Sequence, residues 1–271
     1  MNILKKSELI AIFLIILLSI LCLLKDNKKE TKKEEINKFQ EYSFYKENNL
    51  KRYQNYQNKI NLNDKQTILH VNIGLDNEFY TNIKQTTNLN TNYFIVNKYN
   101  YLPSNYVPKD LVKTNEYAKE NLSLNQEAYE AFKKMARDAS LNNLNLRIIS
   151  AYRSYEYQKN LYNRYLVNER QDIVDTYSAR PGHSEHQTGL AVDIDNKKSL
   201  YVDFEKTNEF KWMKENCYKY GFILRYPENK EHITGYMYEP WHYRYIGIKE
   251  STYIHNNNLT FEEYYYEFID A

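Results

Sequence analysis

A chain of 271 residues is long enough for one sizeable core or two small ones, and 42% hydrophobic with 27% charged residues is the composition of a folded protein. Its 37 basic and 35 acidic residues leave a net charge of +2, so no global positive field points to nucleic acid, and no nucleic-acid partner is expected. Two cysteines, Cys22 in an apolar N-terminal segment and Cys217 in a predicted helix, exclude an intradomain disulfide and a cysteine-built metal cage.

At the N-terminus, Lys5 and Lys6 precede an apolar run from Leu9 to Leu24, and a lysine-rich stretch follows. No small-x-small cleavage pattern follows the run, so residues 1–25 are read as an uncleaved signal anchor, a single transmembrane pass. The "LSILC" around Cys22 matches a lipoprotein box only faintly, because Leu21 stands where a small residue is needed. Lys25, Lys28, Lys29, Lys32 and Lys33 outnumber Lys5 and Lys6, so the flanking charges oppose an exported C-terminus. An extracellular catalytic domain is expected on functional grounds instead.

Residues 26–64 are polar and free of proline and glycine, and read as a stalk, helical or disordered. In 65–110, Ile68, His70 and Asn72 alternate with Leu69, Val71 and Ile73, which predicts a short strand. A loop-rich segment with Pro103 and Pro108 follows, and the whole is expected to wrap the catalytic domain, 111–271.

From Ser123, a predicted N-cap, Ala128, Phe132, Met135, Ala136 and Ala139 fall on one helical face. "LRIIS" reads as a strand, and Ser154 opens a helix carrying Tyr157, Leu161 and Tyr165. A third helix from Thr207 presents Phe210, Met213, Cys217 and Tyr220 and stops at Gly221. "GFILRYP" and "WHYRYIG" read as strands. The expected fold class is α+β, a small and mostly antiparallel sheet with helices packed to one side.

Within this frame, "GHSEHQTGLAVDID" (182–195) carries the chemistry. Gly189 lets the backbone bend, and beyond it Leu190, Val192 and Ile194 alternate with Ala191, Asp193 and Asp195, the period of a strand with its acids on one face. His186 is thereby brought beside Asp193. "EPWHYRYIG" supplies a third ligand, His242, while Pro240 keeps Glu239 extended and off the strand. Two histidines and a carboxylate leave a tetrahedral metal one open position for water, as in catalytic zinc sites, and Glu239 is free to take a proton from that water. His183 is read as outside the ligand set, because three protein ligands complete such a site. Asp195 is expected to orient a ligand, and Trp241 to pack behind the site.

Together, "SAYRSYEYQ", "GHSEHQTGLAVDI" and "ITGYMYEPWHYRYIG", with "IVNKYNYLPSNYVPKDL" more loosely, resemble the D-alanyl-D-alanine carboxypeptidases of the VanY type. These are zinc peptidases related to D,D-dipeptidases and L,D-carboxypeptidases. The resemblance spans roughly 93–248 and leaves the N-terminal region and "NNNLTFEEYYYEFIDA" uncovered. It implies the hedgehog-like α+β fold, one zinc ion on His186, Asp193 and His242, and Glu239 as base. It further implies that Arg153, Gln158 and Ser184 contact the terminal carboxylate or reacting peptide. Arg153 at the start of a helix suits an anion independently of the likeness; without it, a surface ion pair for Arg153 and a solvated position for Gln158 are the simpler readings.

The resulting expectation is a zinc enzyme that releases the C-terminal D-alanine from peptidoglycan stem peptides, acting as a monomer at the membrane. L,D-carboxypeptidase action on tetrapeptide stems is the near alternative, and a zinc-containing wall-binding module without turnover the distant one. The 29 tyrosines decide nothing, since Lys, Asn and Ile are abundant with them, as codon bias in an AT-rich genome produces.

Overall fold

A computed structural model describes residues 16–23 and 38–270. The chain divides into two compact units, one up to Val71 and one from Asn72 to Asp270. Among the described residues no helix is long and apolar enough to cross a membrane. The rest of the expected anchor, 1–15 and 24–25, and the first part of the stalk, 26–37, lie outside the described residues.

The first unit corrects two readings. Residues 38–64 are not a plain polar stalk. Helix α1 (Leu50–Gln57) buries Tyr53 and Tyr56, and the Phe39 and Tyr53 rings lie 5.5 Å apart. Where a strand is predicted at 68–73, the chain forms α2 (Asp64–Ile73). Thr67, Ile68, Leu69, Val71 and Ile73 are all buried, so this helix lacks a single apolar stripe, and its alternation imitates a strand.

The second unit is built on an antiparallel sheet. Two short pairs precede it: β1 (Lys84–Gln85) parallel to β2 (Asn100–Tyr101), and β3 (Leu111–Lys113) antiparallel to β4 (Ser123–Asn125). The four-stranded sheet comprises β5 (Arg147–Ser150), β6 (Ala191–Asp195), β7 (Phe222–Leu224) and β8 (His242–Tyr245), in the order β5-β6-β8-β7. Facing pairs Ile148 with Ile194, Val192 with Tyr243 and Phe222 with Tyr245 put one face into the core. That face meets α3 (Gln126–Ser140), through Ala128, Phe132, Met135 and Ala136, and α6 (Asn208–Asn216), through Phe210 and Met213. The opposite face pairs Asp193 with His242 and Ser150 with Asp193. One sheet thus separates packing from chemistry, because successive strand residues point to opposite sides.

The cap of α3 is Asn125, whose side chain accepts from the Ala128 N–H, and Ser123 instead pairs with Lys113 in the β3–β4 ladder. Ser154 caps α4 (Tyr155–Leu166) by accepting from the Tyr157 N–H, and Thr207 caps α6 through the Phe210 N–H. After α6, a 3-10 turn ends at Gly221 with φ +86°. The C-terminal residues form α8 (Ile248–Asn257) and α9 (Phe261–Phe268), the latter opened by a Thr260–Glu263 capping box. Earlier in the chain, α5 (Gln171–Tyr177) follows α4, and the single turn α7 (Glu231–Thr234) lies between β7 and β8.

Candidate active site

The turn Glu185–Thr188, stopped by Gly189 at φ +70°, delivers His186 to the sheet face that carries Asp193 and His242. His186 Nδ1–H donates to the Ala151 carbonyl at 2.6 Å, which leaves Nε2 buried, facing the site and without a protein partner. Asp193 Oδ1 lies 3.4 Å from His186 Nε2 and 3.0 Å from His242 Nδ1. Donor atoms of all three residues fall within 4.8 Å of one another. A lone pair on a buried imidazole with nothing to receive it, beside a carboxylate and a second imidazole, fits a divalent ion with nitrogen and oxygen ligands.

The electrostatics agree. Burial lowers His186 to about 4, helped by the Arg153 charge, so its ring is a neutral donor. Burial alone would lower His242 too, but Asp193 and Glu185 raise it to about 9. The pocket around that imidazole is built to hold positive charge. Asp193, which burial alone would raise, is held well below the usual carboxylate range by His186 and His242.

Glu239 stands beside this triad without joining it, its Oε2 3.9 Å from His242 Nδ1. Its backbone N–H donates to the Tyr226 carbonyl and its carbonyl accepts from the His242 N–H, so the Pro240 corner is pinned at both ends. Burial pushes the Glu239 carboxyl up to about 8, with Asp193 and Glu185 adding and His242 and Arg153 opposing. A carboxyl so placed can accept a proton near neutral pH and return it.

The site opens into a cleft of about 740 Å³. Arg153 lines it at the start of α4, with Nη1 3.1 Å from Ser150 Oγ and 3.7 Å from Asp193 Oδ2, while Nε has no partner. Ser184 lines it too and is buried. Gln158 is absent from the lining. It is buried, and its amide donates to the Ala179 carbonyl at 2.8 Å and to Ser178 Oγ at 3.4 Å, two residues that do line the cleft. Tyr157, Leu161 and Tyr165 of α4 form cleft wall, while the helix buries Gln158 and Tyr162.

Two further expectations need correction. Asp195 does not orient a ligand: it forks onto Arg147 at 2.8 and 2.6 Å, because its facing residue on β5 is that arginine. Trp241 is half-buried in the cleft wall, edge-on to Tyr201 at 5.0 Å, and does not pack behind the site. His183 is accounted for by the Asn97 carbonyl at 2.7 Å and by rings of Tyr80 and Tyr101.

Sequence reasoning missed what lies behind His242. Glu185 Oε2 faces His242 Nε2 at 3.6 Å, and Glu185 Oε1 accepts from both Arg225 Nε (2.8 Å) and Arg244 Nη1 (3.0 Å). Arg225 also forks onto Glu262 of α9 at 2.9 and 2.6 Å. Burial would raise the Glu185 carboxyl, but the two guanidiniums hold it well below its ordinary range. The signal was present: arginines inside "GFILRYP" and "HYRYIG" are charges in otherwise aromatic or aliphatic strands, and buried charges come paired.

Residues 121–248 match the VanY family of D-alanyl-D-alanine carboxypeptidases. The chain is 40% identical to the putative carboxypeptidase YodJ of Bacillus subtilis (strain 168) over 205 residues, 70% of this chain and 75% of that protein. The structure of the LD-carboxypeptidase LdcB superposes with a TM-score of 0.65 at 39% identity, covering 69% of this chain and 91% of that one. A vancomycin-resistance D,D-pentapeptidase VanY solved in complex with Zn(II) gives 0.56 at 31% identity, covering 64% and 98%. With its signature residues gathered at one cleft, this carboxypeptidase hydrolase belongs to the VanY family of D-alanyl-D-alanine carboxypeptidases.

Proposed function

We propose that the chain is a D,D-carboxypeptidase using one zinc ion, which removes the terminal D-alanine from peptidoglycan stem peptides outside the cell membrane. The observation that carries the site assignment is the convergence of His186 Nε2, Asp193 Oδ1 and His242 Nδ1 beside a buried, unligated Glu239. Zinc held by those three side chains supplies Lewis acidity toward the scissile carbonyl and makes water more acidic. Glu239 takes the proton of the attacking water and passes it to the leaving amine nitrogen, so one C–N bond is exchanged for one C–O bond. Arg153 binds the free carboxylate of the terminal residue through its guanidinium, whose Nε has no protein partner, and Ser184 adds a hydroxyl beside it. Gln158 acts through Ser178 and Ala179, which it holds in the cleft wall.

The test is D-alanine release from a pentapeptide stem by the purified, zinc-loaded protein. Glu239→Gln is expected to lower kcat about 10²- to 10⁴-fold while zinc content stays at one per chain. Full activity in that variant defeats the assignment. A protein that binds peptidoglycan yet frees no D-alanine is a wall-binding module instead.

The likeness to LdcB favours a second reading, L,D-carboxypeptidase action on tetrapeptide stems. Separate incubations with pentapeptide and tetrapeptide, followed by mass spectrometry, distinguish the two by which one shortens. The membrane placement rests on the apolar run from Leu9 to Leu24 and on the polymeric substrate. A C-terminal reporter active only inside the cell would reverse it.

A further inference from the structure

We infer that the C-terminal helix α9 is a positioning element of the metal site, acting from Glu262 through Arg225 and Glu185 on His242. The four charges Glu262, Arg225, Glu185 and Arg244 are each almost wholly buried and sum to zero. Arg225 spans the group, giving Nη1 and Nη2 to Glu262 and Nε to Glu185. Because both guanidiniums converge on Glu185 Oε1, Oε2 is left without a partner. The Nε2 of His242 is also buried and partnerless, and it lies 3.6 Å from that oxygen. Each is the other's natural complement. An N–H held toward Glu185 leaves Nδ1, the atom facing Asp193, as the donor lone pair, and a carboxylate behind an imidazole strengthens it as a ligand.

Tyr226 stacks on the His242 ring at 5.0 Å with the planes inclined by 29°, and is itself covered by the Arg225 guanidinium at 4.9 Å, so the arginine restrains the histidine from two directions. Glu262 lies outside residues 121–248, the part of the chain that matches the family. Asn97 adds an amide 3.3 Å from Glu262 Oε1, which fixes the carboxylate against Arg225.

The inference rests on the reading that His186, Asp193 and His242 hold the metal, and the experiment separates the two. Zinc affinity of the full chain is measured by competition with a chromogenic chelator, and ligand geometry by the visible absorption of the cobalt(II) form. Arg225→Met with Glu262→Leu removes a neutral ion pair in favour of apolar side chains, an exchange that buried pairs tolerate. This double variant is expected to fold, to bind zinc about 10-fold more weakly and to shift the cobalt absorption. Glu185→Gln should weaken zinc 10- to 100-fold, and adding the double change to it should cost no more, since all act through one oxygen.

Unchanged zinc affinity in the folded double variant overturns the inference, as does a loss that simply adds to that of Glu185→Gln. Should the double variant not fold, Arg225→Lys, which keeps the charge and loses the fork, carries the same expectation. A parent protein that binds no zinc refutes the site assignment itself.

Discussion

Arg153 is the cation of the cleft wall, and its environment indicates what it is for. Its Nη1 is engaged by Ser150 and weakly by Asp193, its side chain keeps about a fifth of its exposure, and its Nε is unpartnered. A guanidinium with an unpartnered Nε just before the Ser154 cap of α4 suits a carboxylate, since the helix end adds its own partial positive charge. Arg153→Met is therefore expected to lower kcat/KM about 10- to 100-fold on a peptide with a free C-terminus, the magnitude of a charge-assisted hydrogen bond. The low rate on the same peptide capped as an amide should stay where it was. Equal losses on both substrates would mean that Arg153 supports Asp193 rather than the substrate.

At the scale of elements, the bend at Gly189 joins the turn bearing His186 to the strand bearing Asp193. An added Cβ there would meet Leu111 Cδ2 at 2.8 Å and Pro108 Cγ at 3.2 Å, on a backbone already at φ +70°. Gly189→Ala is expected to destabilise the protein by about 1 to 3 kcal/mol, combining left-handed strain with crowding, and to weaken zinc binding with it. An unchanged urea midpoint would contradict this. The glycine, the alternation of β6 and the Pro240 corner were legible in sequence because each is a local constraint: a φ sign, a period of two, a fixed ring. The strand expected at 68–73 was misread because burial on most sides erases helical periodicity. Glu262 and Arg225 were invisible as a pair, since 37 residues of chain separate them and only the fold brings them together.

For the second unit as a whole, acid stability depends on groups that the fold keeps unprotonated. His183 is 6% exposed, packed against Tyr80 and Tyr101, and holds the Asn97 carbonyl through Nδ1. Burial lowers it to about 4, the charges of Arg180 and Lys98 add to this, and the Asn97 carbonyl and Asp175 oppose. In the unfolded chain the ring titrates near the ordinary value of about 6.5. Between those two values the unfolded state carries the extra proton, so stability falls as pH drops from about 6.5 to 4, by up to about 3 kcal/mol. Glu185, whose folded carboxyl lies far below its ordinary range, contributes in the same direction only below about 4.5, whereas Glu239, pushed up to about 8, acts in the opposite direction between about 8 and 4.5 and is common to parent and variant. His186, also lowered to about 4, acts alike in parent and variant and cancels in their difference. His183→Asn keeps a donor for the Asn97 carbonyl but cannot titrate. Its urea-unfolding free energy should be lower at neutral pH through lost ring packing, yet flatter between pH 6.5 and 4.5, the two curves converging toward acid. Parallel curves across that interval would show that the buried His183 ring takes its proton as readily folded as unfolded.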